Sequence, residues 1–542
     1  MASFVISDRR TTGVSLAAGD SLWLTADGAI STAGRNGVTG SGGNALTLDG
    51  EILARAAFGV LLTGGNNNVS VSDTGSVMGD TAISANGPST VTNAGQVIGL
   101  VSDGVSLGTG GTVVSNSGLI FGSTSGITGS GAGNDITNHG WIHGGSGSGI
   151  SLTSDNNVIL NFGTIDGGQA SIKLGGAAGS TNTIINWGTI LGFGLPAIQT
   201  ADANDVIINR GYLQYHVETG GGNDIVDNSF GGVIVGDILL GTGDDLFIAG
   251  VGLFETVVGG AGTDTISYIN HPRAMLINLL SQVSADGIGH DIFSSVENAV
   301  GSAFDDTIHG DDSPLGNVLD GGPGGSDQIF GRGGPDSVSY ASAVWAVLIN
   351  LAGQVTADGV DTDTLSSIEN AIGSRFNDTI YGSDFDNVLD GGLEGSDQIF
   401  GGLGTDAVSY ATSARAVLIN LADQVSADGM NNDTLASIEN AIGSAFGDTI
   451  ISGAGASVLE GRGGNDTFLF RRGQANGDTV VDFAGNGAFH GDMLQFVGYG
   501  PGASFTQIDA THWQVNSGDG LVQETIAFQN GAPVHMSDVL FA

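Results

Sequence analysis

Gly259-Gly-Ala-Gly-Thr-Asp264-Thr-Ile-Ser267 and Gly401-Gly-Leu-Gly-Thr-Asp406-Ala-Val-Ser409 obey one nine-residue formula, G-G-x-G-x-D-x-U-x, at every position. Gly at positions one, two and four opens backbone angles closed to residues with a Cβ, so the loop turns tightly and points carbonyl oxygens inward. Asp at position six adds a hard, charged oxygen. The apolar residue at position eight enters a thin core as part of a short strand. Looser copies surround these two: Asp224, Asp245, Asp327, Asp336, Asp397, Asp448 and Asp466 each hold the sixth position of such a nonapeptide, the last behind Gly461. One match means little in a chain with 96 Gly among 542 residues, but ten or so, several in tandem phase, specify a repeat.

A longer period is superposed on the nonapeptides. Tyr268, Tyr340 and Tyr410 recur, as do Glu297-Asn298, Glu369-Asn370 and Glu439-Asn440. Each unit reads Ser-Tyr, a strand such as Val347-Leu-Ile-Asn-Leu351, a Gly/Asp loop, then Ile368-Glu-Asn-Ala-Ile-Gly373 and further nonapeptides. Phe304, Phe376 and Phe446 replace a loop Gly before Asp306, Asp378 and Asp448, and Asn387 stands where an Asp is expected.

This segment resembles the RTX, or haemolysin-type, calcium-binding repeats of proteins exported by type I secretion. The resemblance implies a parallel β-roll holding several Ca²⁺ ions, each of which takes six to eight oxygens at 2.3–2.6 Å. It implies metal ligation by Asp224, Asp245, Gly259, Gly260, Gly262, Asp264, Asp306, Asp327, Asp336, Asp378, Asp397, Gly401, Gly402, Gly404, Asp406, Asp448, Gly461 and Asp466. In the family two nonapeptides make a turn, so Asp448 and Asp466, or Asp378 and Asp397, share a face. The Phe substitutions are expected to weaken the loops of Asp306, Asp378 and Asp448, and Asn387 to weaken its own.

Upstream the repeat changes. Asn93, Asn116, Asn138, Asn161, Asn186 and Asn209 recur every 22–25 residues, each followed two residues later by Gly and four later by Val, Ile or Leu. An apolar residue stands two positions before each, from Val91 to Ile207. Each period holds about three short strands between Gly/Asn turns and cannot bury its apolar side chains alone. Stacked in register, the periods form internal apolar rows, and each Asn amide can bond to the next. This pattern resembles a right-handed parallel β-helix. The expected organisation is all-β: 1–44 an N-terminal cap, 45–230 the parallel β-helix, 231–469 the RTX β-roll, and 470–542 a β-rich C-terminal cap. The last segment includes Asp538-Val-Leu-Phe-Ala542, which resembles the uncleaved signal of type I substrates.

Charge and composition narrow the function. The chain carries 56 Asp+Glu against 13 Lys+Arg, and 40 of the acids with 7 of the bases follow Phe230. Such a surface repels phosphate backbones and anionic headgroups, so nucleic acid is not an expected partner. No apolar stretch is long enough to span a membrane. The absence of Cys removes disulfides and thiolate chemistry. No Sec-type apolar run follows Arg9 and Arg10, so export through the type I apparatus and an extracellular location are expected. Gly104-Val-Ser106-Leu-Gly108 matches a nucleophile elbow, but no helix follows it. His139 and His143 lack an intervening Glu, and on strands they do not form a helix-type metal pair. Trp141, Phe162 and Trp187 suit surface packing better than a sugar platform. The favoured function is a non-catalytic, secreted calcium-binding protein of the adhesin, matrix or surface-layer kind, with cell-surface or matrix glycans as partners. The alternative is a polysaccharide-modifying enzyme of the mannuronan epimerase or lyase type. Such an enzyme needs a base beside a charge-neutralising group. The first 230 residues offer only Lys173, five Arg and the cluster Tyr212, Tyr215 and His216.

Overall fold

The computed structural model describes residues 1–251, 254–485 and 491–542, and its contacts gather the chain into two compact units. Unit 1 comprises Met1–His271 and Gln282–Val296; unit 2 comprises Pro272–Ser281 and Glu297–Ala542. The composition changes at Phe230, whereas this division of contacts falls later, because coil stacking continues through Phe230: Tyr212–Gln214 pairs in parallel with Val233–Val235.

Unit 1 is a parallel β-helix. Each coil has three strands, as in Val113–Asn116, Leu119–Gly122 and Ile127–Gly129, and each strand pairs with its counterpart in the next coil. Val91, Val114, Ile136, Ile159, Ile184 and Ile207 lie directly opposite one another along one internal row. Val97, Ile120, Ile142, Ile165, Ile190 and Leu213 form a second row. All are buried, each worth roughly 1.5–3 kcal/mol relative to exposure. The segment 1–44, expected as a cap, is coiled in the same register: Leu22 lies opposite Leu46.

The Gly two places after each Asn is fixed by close approach. A Cβ on Gly118 would stand 2.2 Å from the Gly95 carbonyl oxygen, and one on Gly140 2.1 Å from that of Gly118. The Asn ladder is continuous. Nδ2 of Asn93, Asn116, Asn138, Asn161, Asn186 and Asn209 donates to Oδ1 of the Asn one coil on, ending at Asn228, over 2.8–2.9 Å. Asn161→Ala would strand the Oδ1 acceptor of fully buried Asn186, while Asn138 Nδ2 keeps its bonds to Gly140 O and Thr164 O. The expected loss is about 1–3 kcal/mol, read as a lower urea midpoint in EGTA. An unchanged midpoint would show that the ladder is ornamental.

Unit 2 stacks strands of mostly three residues in parallel columns. Thr307–His309 pairs with Gln328–Phe330, which pairs with Thr362–Ser366. Asn298–Val300, Val318–Asp320, Ser337–Ser339 and Asn370–Ile372 form the other column. The longer sequence period is an antiparallel excursion, in which Val355–Ala357 folds against both Leu348–Asn350 and Thr362–Ser366. The column of the unit ends in further strands. Met493–Val497 continues the column from Thr467–Arg471, Val539–Phe541 adds to it, and an antiparallel sheet of Ser504–Gln507, His512–Asn516 and Gln523–Phe528 covers an aromatic core including Phe496, Phe505 and Phe528.

Candidate metal centre

A second amide ladder in unit 1 becomes a carboxylate column. Asn134 Nδ2 donates to Asn157 Oδ1 (3.1 Å), Asn157 to Asn182 (3.1 Å), and Asn182 to Asp205 Oδ1 (2.9 Å). The backbone N–H of each residue bonds the same oxygen of the next coil. Beyond Asp205 this backbone arm persists: Asp205 N–H to Asp224 Oδ1 (2.7 Å), Asp224 to Asp245 (2.7 Å), and Asp245 to Asp264 (3.0 Å). The amide arm stops, because a carboxylate has no hydrogen to donate. Oδ2 of Asp205, Asp224 and Asp245 is consequently buried without a hydrogen-bond partner. Burial, reinforced by the charges of Asp205 and Asp245, pushes Asp224 up to about 7.

The loops bearing these carboxylates stack without room for a Cβ. Gly220, Gly222, Gly241, Gly243, Gly260 and Gly262 have φ between +90° and +138°. A Cβ on Gly241 would lie 2.0 Å from Gly220 O, and one on Gly260 2.0 Å from Gly241 O. Gly259 is equally confined, with Ser295 O 1.9 Å from such a Cβ. Carboxylate and carbonyl oxygens dominate this cradle, and a cation can take the place of the missing amide hydrogens opposite the orphaned buried oxygens. The set fits a hard divalent cation such as Ca²⁺.

Unit 2 repeats the arrangement on two columns. On the first, the Asp306 N–H bonds Asp327 Oδ1 and that of Asp327 bonds Asp363. Asp378, Asp397 and Asp433 follow the same order, as do Asp448, Asp466 and Asp492. On the second, Asn317 bonds Asp336, whose N–H bonds Glu369, while Asn387 bonds Asp406, whose N–H bonds Glu439. Burial is the largest influence on each carboxyl, with neighbouring carboxylates adding to it. Asp327 is pushed up to about 9, Asp397 to about 8, Asp466 to about 7, and Asp336 and Asp406 to about 6.

Every sequence-predicted Asp lies on one of these columns, and the predicted Gly residues shape the loops beside them. Gly402 and Gly404 have φ of +109° and +113°. A Cβ on Gly401 or Gly461 would strike the Oδ2 of Asp406 or Asp466 at 2.4 and 2.3 Å. The nonapeptide formula missed Asp205, which follows a loop with Ala in place of Gly, and Asp363 and Asp433, which end the antiparallel excursions. It also missed Asp478 and Asp492, which lie in the expected cap. Glu369 and Glu439 were visible only as a recurring Glu-Asn pair.

The loops are chemically unequal. In the Phe-containing loops a Ser satisfies the carboxylate internally. Ser302, Ser374 and Ser444 donate both backbone N–H and hydroxyl to Asp306, Asp378 and Asp448. The Phe N–H then bonds the same Ser Oγ, which rigidifies the turn. Asn387 is held likewise by Ser383. Oδ2 of Asp336 and of Asp406, by contrast, is buried with no partner. The Cβ strain expected in the Phe loops is not seen, since Phe304, Phe376 and Phe446 are not among the residues with positive φ; what sets these loops apart is that their carboxylates are already hydrogen-bonded.

The family model of the RTX calcium-binding nonapeptide repeat (4 copies) matches residues 294–313, 372–408 and 442–474. The chain therefore carries RTX calcium-binding repeats on a β-solenoid. No curated protein gives a match. Among the described residues, no three His, Asp or Glu side chains gather around one point.

Raised carboxyl pKa values give the calcium-free fold a defined pH dependence. A group that holds its proton more tightly when folded stabilises the fold at low pH and loses that contribution as pH rises from its unfolded value towards its folded one. In EGTA, thermal stability of the roll is expected to fall between pH ~4 and the value of about 9 at Asp327. A melting temperature that rises across this window would contradict the column geometry.

The remaining sequence candidates are accounted for structurally. Ser106 lies in the strand Val105–Leu107, with no helix after it. His143 Nδ1 and Trp141 Nε1 both meet Asp166 Oδ1, at 2.7 and 2.9 Å. Phe162 stacks between His139 and Trp187, and Arg210 covers Trp187 and Phe230. Although Trp141, Phe162 and Trp187 are half-exposed, the faces of Phe162 are taken by its neighbours, which leaves little for a flat sugar ring. Among the described residues no helix is long and apolar enough to cross a membrane.

Proposed function

We propose that the protein is a secreted, non-catalytic component of the adhesin, matrix or surface-layer type, whose β-roll folds on calcium after export. The observation that carries this reading is the column of buried carboxylate oxygens left without hydrogen-bond donors where the amide ladder ends. A chain bearing 56 acids against 13 bases cannot compact such columns cheaply in calcium-poor cytosol. Where calcium is millimolar, binding free energy becomes folding free energy. That coupling suits passage through a type I apparatus as an unfolded chain, followed by folding outside. Stacked ladders make the β-helix a rigid spacer that displays a surface to glycans.

The rival, an epimerase or lyase acting on uronate polymers, requires a base and a cation converging on one groove. The support for the non-catalytic reading is that Lys173 is exposed on its strand and His216 is engaged with Asp237. The deciding experiment applies the calcium-loaded chain to a glycan array and, in parallel, to polymannuronate. Glycan retention without release of unsaturated or epimerised uronate is expected; turnover would establish the enzyme.

A further inference from the structure

A cleft beside the second antiparallel excursion carries chemistry that the carboxylate columns do not use. It lies between the turn 351–354 and the loop 383–385, and its volume is about 380 Å³. Buried Leu351, Leu365 and Ile368 close its floor. Gln354 stiffens one rim: its Nε2 donates to Leu351 O (2.6 Å) and Ile368 O (3.1 Å), and its Oε1 accepts the Ile368 N–H (3.3 Å). The opposite loop is fixed as well. Ser383 Oγ accepts the Phe385 N–H (3.1 Å) and bonds the Asn387 side chain. Both walls are thus set by the fold itself, which lowers the ordering cost of binding.

Phe385 forms part of the wall with 75% of its surface exposed, and no ring or guanidinium of the described residues stacks on it. In this it differs from Phe162, whose faces are taken. The free polar groups beside the ring are oxygens. Among the described residues, the Asp384 carboxylate and the Ser366 and Ser367 hydroxyls make no hydrogen bond within the chain. Glu369 adds a second carboxylate, whose Oε2 accepts the Asp336 N–H (3.0 Å). No Lys, Arg or His is among the lining residues. The set belongs to the second copy alone. Gly382 N–H meets Phe400 O as Ser452 N–H meets Leu469 O, so the third copy has Gly453-Ala454-Gly455 where the second has Ser383-Asp384-Phe385. Gly310 N–H meets Phe330 O in the same way, and the loop 311–316 that follows it has no aromatic residue.

We propose that this cleft binds one pyranose residue of a glycan that carries no anionic group. The apolar face of a sugar ring matches the open Phe385 face, and its hydroxyl hydrogens match acceptors that the chain leaves free. Small-molecule sites span ~300–1,000 Å³; this one lies at the lower end, so a single ring enters and the polymer continues outside. Two carboxylates without a cation repel a uronate or a sulfated sugar. They favour an amino sugar, whose ammonium is drawn to Asp384 and Glu369 and to the Phe385 face. The inference deepens the glycan-binding reading and rests on it, with the contact placed on the roll.

The test is saturation-transfer NMR of the intact, calcium-loaded chain with the methyl glycosides of glucose, glucosamine and glucuronic acid. Transfer to the first two is expected, with the glucosaminide bound more tightly and the glucuronide not at all. Phe385→Ala should weaken both ~10-fold or more. Asp384→Asn keeps the side-chain volume and should weaken the glucosaminide alone, a selectivity that misfolding would not produce. If Phe385→Ala fails to fold, Asp384→Asn decides. Absence of transfer to glucoside and glucosaminide, preference for the glucuronide, or binding unaltered by Phe385→Ala overturns the site. Retention on a glycan array that survives Phe385→Ala overturns the cleft and leaves the glycan-binding reading standing. An unaltered chain that retains no array glycan overturns both.

Discussion

Transferred from millimolar calcium into EGTA, the intact chain is expected to lose amide protection across the roll while retaining it in the early coils. Backbone amides of Gln328–Phe330, Gln398–Phe400 and Thr449–Ile451 should exchange at least ~100-fold faster. That factor corresponds to two ions, each present at about 10 times its dissociation constant, together roughly 2.8 kcal/mol. Extracellular modules bind calcium at ~10⁻⁴–10⁻³ M, and several ions act on one cooperative stack, so the collapse should be steep. Amides from Ala45–Leu48 to Thr183–Asn186 should remain protected, because amide hydrogens and apolar rows, not ions, join those coils. The limit between the two behaviours is expected near Asp205, where the second ladder runs out of donors. Hydrogen exchange read by mass spectrometry on the full chain locates that limit directly. Equal protection in both buffers along the whole chain would dismiss calcium-coupled folding, and uniform loss would dismiss the ladder as an independent scaffold.

Much of this was legible because solenoids write their geometry into periodic sequence. The Asn spacing of 22–25 predicts the coil, and the amide chain from Asn93 to Asn228 is the physical reason the spacing is kept. The nonapeptide formula located Asp224 to Asp466 on their columns for the same reason: a positive-φ Gly and a buried carboxylate are demands of one loop. What the formula could not reveal is which residue continues a column once the nonapeptides are interrupted. Asp363 and Asp433 are delivered by a hairpin whose register is set by Tyr340 and Tyr410, a contact between residues 23 apart that no local template encodes. Asp205 is hidden for the opposite reason. Its loop lacks the Gly signature because it is still a turn of the β-helix, and only pairing with Asn182 on one side and Asp224 on the other shows that it belongs to both systems. The place where the ladder changes from amide to carboxylate is therefore a property of three-dimensional stacking, while Phe230 marks only where the composition changes.

Asp406→Ala is expected to raise the calcium midpoint for folding well above that of Asp378→Ala. Asp406 lies in a loop with Gly401, Gly402 and Gly404 all in place, and its buried Oδ2 has no protein partner to lose. Its removal deletes a charged ligand and leaves the Asn387 N–H without the oxygen it now bonds at 2.8 Å. Stacked coils communicate with their neighbours, so the loss should spread to the adjoining turns. Asp378 is bound differently. Ser374 meets it through both backbone N–H and hydroxyl, and the Val347 N–H bonds Oδ1 at 2.7 Å. Its substitution breaks hydrogen bonds to groups that remain buried, costing about 1–3 kcal/mol, but this loss belongs to the fold with or without calcium. The two variants should thus differ in kind. Asp378→Ala should lower stability in saturating calcium with little change in the number of ions bound. Asp406→Ala should shift the midpoint to higher calcium by several-fold and carry at least one ion fewer. Titrations followed by circular dichroism, with ion counts at the plateau, separate the cases. If Asp378→Ala moves the midpoint as far as Asp406→Ala and also loses an ion, the Ser-satisfied carboxylates are ligands of equal rank and the division between the two kinds of loop is wrong.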